Sequence, residues 1–181
     1  WQRRVFEDAG VGEEEDWLEL QEEGPDDPLT WKPKPARPLA QRFDFLEVCG
    51  GSGVIPDEVA KYGLVVGPII DLSYSSQYDL VNLRVVEWLL FMIQNRRVRS
   101  LALEPPCTTF SPAAHPACRS YNMPRGWNQK APKVWLGNRL AFACMTLLLA
   151  AAYACVIALL ETPRRSKMAW LKEWQFLLSL W

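Results

Sequence analysis

The stretch Leu101-Ala-Leu-Glu-Pro-Pro-Cys-Thr-Thr-Phe-Ser111 places the tightest constraint on how this chain folds. Residues 101–103 are apolar and suit a buried parallel strand. Pro105 and Pro106 then stop any ladder or helix, because proline has no N–H to donate. Cys107 is therefore expected just beyond the carboxyl end of a strand, the edge at which open α/β sheets bind ligands. A thiol held there on a stiff loop is a candidate nucleophile. The alternative role for a free cysteine is that of a small buried apolar side chain.

An earlier stretch has a similar design. Residues 43–48 read as a first strand, and Cys49-Gly-Gly-Ser-Gly53 as a turn without bulky side chains. Pro56-Asp57-Glu58 open a short helix that Gly63 stops. Strand, glycine turn and helix together let backbone N–H groups face a ligand, although a plain tight turn has the same composition. A second apolar run, 64–70, ends at Asp71, eighteen residues after Gly53. That spacing fits the acid that binds a ribose in nucleotide-type folds. Residues 78–80 read as a brief third strand, with Asp79 near an adenine. Either aspartate could instead cap a helix.

Helical spacing covers 80–94, followed by the basic turn Arg96-Arg97-Val-Arg99. Residues 112–135 read as a loop in which basic and aromatic side chains interleave. Arg119, Arg125 and Lys130 are its candidate nucleic-acid contacts, with Ser111 just before it and Arg164 and Arg165 further on. A surface loop with tryptophans tucked into the core is the other reading. Residues 140–160 form a run of twenty-one without a charge, long enough to span a membrane. The run is expected to divide into a buried helix, 138–153, and a buried strand, 155–160. The change from Ala-rich sequence to Val156-Ile157 favours that division. An amphipathic helix over 167–181 closes the chain. The pattern predicts an α/β fold, a mostly parallel Rossmann-like sheet with helices on both faces over 42–181, behind an acidic and proline-rich arm, 1–41.

Three segments in order resemble the cytosine-5 DNA methyltransferases. They are Phe43-Asp-Phe-Leu-Glu-Val-Cys-Gly-Gly-Ser-Gly53, the Pro-Pro-Cys loop, and Leu159-Leu-Glu-Thr-Pro-Arg-Arg-Ser-Lys-Met-Ala-Trp170. The resemblance covers roughly residues 43 to 170 and implies S-adenosylmethionine as cofactor and DNA as partner. It implies that Glu47, Cys49, Gly50, Gly51, Gly53, Asp71, Asp79 and Pro105 line the cofactor. Cys107 would be the nucleophile and Glu161 the acid that holds the cytosine ring. Two positions depart from the family pattern. Glu104 replaces the glycine usual before Pro-Pro-Cys and sets a negative charge next to the nucleophile, and Thr162 replaces an asparagine. The family's later target-recognition parts have no counterpart, so the chain reads as a piece of a longer polypeptide, such as that of a mobile element. A non-catalytic relative, membrane-associated through 140–160, is the alternative.

Charge is unevenly spread over the 181 residues. Residues 1–30 carry eleven acids against Arg3 and Arg4, a net of −9, whereas 31–181 hold eighteen Lys and Arg against ten acids, a net of +8. A basic body suits a polyanion, and an acidic arm could screen it. With one histidine, His115, and five cysteines without close pair spacing, a Ser-His-Asp centre or a metal site is not expected. Reduced thiols suit an intracellular protein, nuclear if DNA is the substrate.

Overall fold

The structure, a computed structural model, describes residues 43–179. The acidic arm, 1–41, lies outside the described residues. Three parallel strands, β1 (Phe43–Val48), β2 (Val98–Leu103) and β3 (Ile157–Leu160), form a sheet in the order β1-β2-β3. Among the described residues four helices accompany them: α1 (Val54–Lys61), α2 (Leu83–Gln94), α3 (Pro132–Ala154) and α4 (Lys172–Leu178). The chain is thus a mixed α/β protein built on a small parallel sheet.

Local chemistry sets the element ends. Asn82 caps α2 by accepting from the Arg84 N–H at 3.1 Å. The buried residues of α2 are Val85, Val86, Trp88, Leu89, Met92 and Ile93, which recur at helical spacing. Arg96, at φ 53°, turns the chain back into β2. Pro132 occupies the first turn of α3, where its missing N–H costs nothing. Cys155 closes α3 in the left-handed region at φ 56°, and the Val156 N–H donates back to the Ala151 carbonyl at 2.9 Å. α2 and α3 pack against each other and complete the main core with Leu46 and Val48 of β1 and Leu101 and Leu103 of β2. A second cluster of Phe110, Ala141, Met145, Met168 and Leu171 lies beneath the loop that carries Cys107.

Several expectations change. The run 64–70 is not a full strand. It runs parallel to β1 through two isolated bridges, Phe45 with Val66 and Val48 with Ile70. Pro68 has no N–H to extend a ladder. The expected strand at 78–80 is absent. A 3₁₀ turn, Ser76–Tyr78, stands in its place, with the Ser75 hydroxyl accepting from the Gln77 N–H at 3.2 Å. α3 begins six residues before the expected helix start, so Lys133 and Trp135 are helical and not in a loop. The expected strand 155–160 shortens to β3 because Cys155 is still turning. It is also not buried: Ile157 is 72% and Leu159 61% exposed, because no described element packs over these two side chains as α2 and α3 do over β1 and β2. The expected helix over 167–181 divides into a 3₁₀ turn, Lys167–Trp170, and α4.

α3 contains most of the uncharged run. By length and mean hydropathy (1.5) it could cross a membrane, and 56% of its most apolar stretch is buried inside the protein.

Candidate functional site

Four parallel segments end side by side. The Cys49 N–H donates to Ile70 O at 2.8 Å, the Glu104 N–H to Val48 O at 2.9 Å, and the Glu161 N–H to Leu103 O at 2.9 Å. Asp71, the glycine turn, Glu104 and Glu161 therefore line one sheet edge in that spatial order. Neighbouring backbones in such a ladder lie about 4.8 Å apart.

Backbone geometry explains the turn's composition. Gly51 and Gly53 have φ of 55° and 67°, where a side chain is strained. A Cβ on Gly53 would also meet Ile69 Cδ1 at 2.3 Å. Cys49 adopts φ 62° without being glycine. Burial, and then the charges of Asp71 and Glu104, push its thiol up to about 12. Cys49 therefore stays a neutral thiol and lines the turn without acting as a nucleophile.

Asp71 belongs to this turn. Its carboxylate accepts from the Gly51 N–H at 3.2 Å, the Ser73 N–H at 2.8 Å and the Ser73 hydroxyl at 2.7 Å. Burial alone would raise its pKa, but the bonds from Ser73 and Gly51 outweigh burial and hold it below the ordinary aspartate value. Asp79 has a local role as well, because it accepts from the Val81 N–H at 2.9 Å in a turn leading to α2. That bond closes a turn and is not a helix cap, because the cap of α2 is Asn82.

Glu47 stands apart. It is 1% exposed, and neither carboxyl oxygen has a hydrogen-bond partner. It packs so tightly under the turn that a Cβ on Gly50 would lie 1.8 Å from its Oε2. Burial first, then the neighbouring carboxyl of Glu104, and more weakly Asp71 and Asp57, raise its pKa to about 7. A carboxyl with a raised folded-state pKa binds its proton more tightly in the folded chain. Stability is then full below the unfolded value and is lost as pH rises through the folded one. Between about pH 4.5 and about pH 7, ionisation of Glu47 should cost up to about 3 kcal/mol. Asp71 has the opposite sign, and its contribution is lost only as pH falls below the ordinary aspartate range. Denaturant titrations across pH should show this neutral-range decline in the wild type and a flat profile in Glu47→Gln. Equal slopes in both proteins would remove Glu47 as its source.

The Cys107 loop is held from two sides. The Phe110 and Ser111 N–H groups both donate to the Cys107 carbonyl, at 2.9 and 2.8 Å. Lys167 is buried, donates its backbone N–H to Phe110 O at 2.9 Å, and directs its ammonium to Ser111 O at 2.9 Å. Arg119 is 1% exposed. It bonds Thr109 Oγ1, Asn138 Oδ1 and the carbonyls of Pro124 and Val134, and its guanidinium lies 3.7 Å from the Phe110 ring centre. Cys107 itself is half-buried, and Pro105 is buried beside it.

Arg119 is therefore a structural clamp, which corrects its expected place among the nucleic-acid contacts: both of its terminal nitrogens donate inside the protein. Arg125 pairs with Glu173 of α4 and lies over the Phe142 ring. Ser111 is half-buried, and its hydroxyl accepts from the Ala113 N–H at 3.1 Å. Lys130, Arg164 and Arg165 are exposed. Arg165 has φ 62°, and its carbonyl accepts from the Tyr121 hydroxyl at 3.3 Å. Lys167 was missed in the sequence. Its partner Ser111 lies 56 residues away, and no local pattern marks such a bond.

A groove of about 400 Å³ between α3 and α4, lined by Phe142, Met145, Leu149 and Phe176, is a separate feature that includes none of these edge residues. No protein-family model, curated protein or solved structure matches the chain.

Proposed function

We propose that this chain is the cofactor-binding and nucleophile-bearing part of an S-adenosylmethionine-dependent enzyme that methylates carbon 5 of cytosine in DNA. One observation carries the reading. After β1 the chain pairs 64–70 on one side of that strand and then places β2 on the other. The strand order thus reverses at β1, and in Rossmann-like sheets a ligand binds in the crevice at such a reversal. The glycine turn and Glu104 lie at the carboxyl ends of the two strands that flank it. The buried, unpartnered Glu47 beneath Gly50, and the backbone of a side-chain-free turn, suit a ligand that brings both a cationic group and hydrogen-bonding oxygens.

In this reading Gly50, Gly51 and Gly53 approach the methionine portion, Asp71 the ribose hydroxyls, and Pro105 and Asp79 the remainder of the cofactor. S-adenosylmethionine supplies an electrophilic methyl group. The protein's task is to make carbon 5 of the cytosine nucleophilic. The Cys107 sulfur adds to carbon 6, and the electrons of the 5,6 double bond become available at carbon 5. Glu161, at the end of the adjacent strand, holds ring nitrogen 3 and stabilises its protonation. Once carbon 5 carries the methyl group, loss of its proton expels the Cys107 thiolate and restores the double bond. A target in duplex DNA must first be flipped out, at a cost of a few kcal/mol. Lys130, Arg164 and Arg165 are among the exposed cations available to its phosphates. This substrate implies a nuclear setting.

Glu104 and Thr162 favour a second reading, a non-catalytic relative that keeps the ligand site. Calorimetric titration with S-adenosylmethionine and its demethylated product, S-adenosylhomocysteine, tests what both readings share. Each ligand should bind one-to-one. Asp71→Ala should weaken both by about 1–3 kcal/mol through loss of a charged acceptor. Absence of binding by either ligand would rule out the cofactor site.

A further inference from the structure

We infer that Glu47 and Glu104 form a seat for a cationic ligand group, an ammonium or a sulfonium, and that the pair holds one proton which it surrenders when the cation docks. The inference rests on the reading of the glycine turn as a ligand site. The pair's geometry follows from the strand register. Glu47 pairs with Ala102 across the ladder, and Glu104 lies two residues further along, bonded through its N–H to Val48 O. Glu47 is enclosed and Glu104 half-buried, so Glu104 presents the accessible half of the pair.

The groups that act on Glu47 are acids: Glu104 after β2, Asp71 after the 64–70 segment and Asp57 on α1. The Cys49 thiol in the turn is neutral, and Cys144 of α3 lies beyond it. Two carboxyls this close in a desolvated place cannot both ionise cheaply, and neither Glu47 oxygen is relieved by an internal donor. A proton is the simplest neutraliser. A docked cation supplies the same charge, so the carboxyl O–H can ionise and pass its proton to solvent. Since Glu47 is held up to about 7, the exchange falls in the neutral range. Below that midpoint, affinity for the cation should rise about tenfold per pH unit, as for any one-proton linkage.

Two measurements on the same protein test the inference. The first follows the carboxyl carbons of ¹³C-labelled glutamate against pH in the free protein, with Glu47 assigned by the signal lost in Glu47→Gln. A neutral midpoint that falls in Glu104→Gln is expected; a midpoint in the ordinary glutamate range overturns the shared proton. The second is calorimetry near neutral pH in buffers of unequal ionisation enthalpy. Release of about half a proton at the midpoint, rising toward one at more acid pH, is expected on binding, reduced in Glu104→Gln. Release with both S-adenosylmethionine and S-adenosylhomocysteine assigns the seat to the ammonium. Release with S-adenosylmethionine alone assigns it to the sulfonium. Binding without proton release overturns the seat. A neutral Glu47 midpoint with no binding of either ligand would leave the shared proton standing and defeat both the seat and the S-adenosylmethionine reading.

Discussion

Gly50→Ala should destabilise the fold by roughly 2–4 kcal/mol, a large effect for one added methyl group. The cause is contact rather than backbone strain. The new Cβ would stand 1.8 Å from Glu47 Oε2, 2.0 Å from its Cδ and 2.4 Å from its Cγ. A surface glutamate would swing aside at little cost. Glu47 is 1% exposed, so its carboxyl cannot move without disturbing the sheet edge around it. The effect should therefore depend on Glu47. In a Glu47→Ala background the three clashing atoms are gone, and Gly50→Ala should cost less than about 1 kcal/mol. Denaturant titration of the four proteins of this cycle gives the coupling directly. Equal penalties in both backgrounds would mean that the glutamate does not lie under the turn.

Much of the edge that carries the proposed site was legible in sequence because it depends on local rules. An apolar run before glycines marks β1 and its turn, Pro105-Pro106 mark the end of β2, and Asp71 falls at a readable distance from Gly53. Register then brings these residues together, because parallel strands joined by helices have their carboxyl ends at one edge. The two expected strands that failed did so for local reasons that could have been weighed. Pro68 interrupts the 64–70 run, and Ser75 and Gln77 favour a capped turn over a strand. Other features had no local signature. Whether β3 is covered depends on what lies beside it, not on Ile157-Ala-Leu-Leu160 itself. Arg119 reads as a surface cation within a basic and aromatic loop, yet it points inward to Thr109, Asn138 and two carbonyls. Its neighbours Lys130 and Arg125 have the same sequence context and remain at the surface. Lys167 and Ser111 are joined by folding alone.

Arg119 and Lys167 give the Cys107 loop its rigidity. A nucleophile gains from being held in place before its substrate arrives. Two buried cations bonded to the loop's own residues and carbonyls provide that hold. Cys107 also has the strand-end position, which Cys144 and Cys155 in and after α3 lack. Cys49 has such a position, but burial and the acids around it keep it a thiol.

The most direct test of the proposed chemistry is covalent trapping. A DNA strand with 5-fluorocytosine cannot lose its carbon 5 substituent as a proton, so the step that expels Cys107 is blocked. With S-adenosylmethionine present, the wild type should form a complex that survives denaturing electrophoresis. Glu161→Gln should form it much more slowly, because ring nitrogen 3 is no longer stabilised. Cys107→Ser should form none, since an alcohol is a far weaker nucleophile than a thiolate at neutral pH. A complex that persists in Cys107→Ser, or a wild type that binds both ligands and never forms one, would contradict the assignment of Cys107 as the nucleophile of this chain.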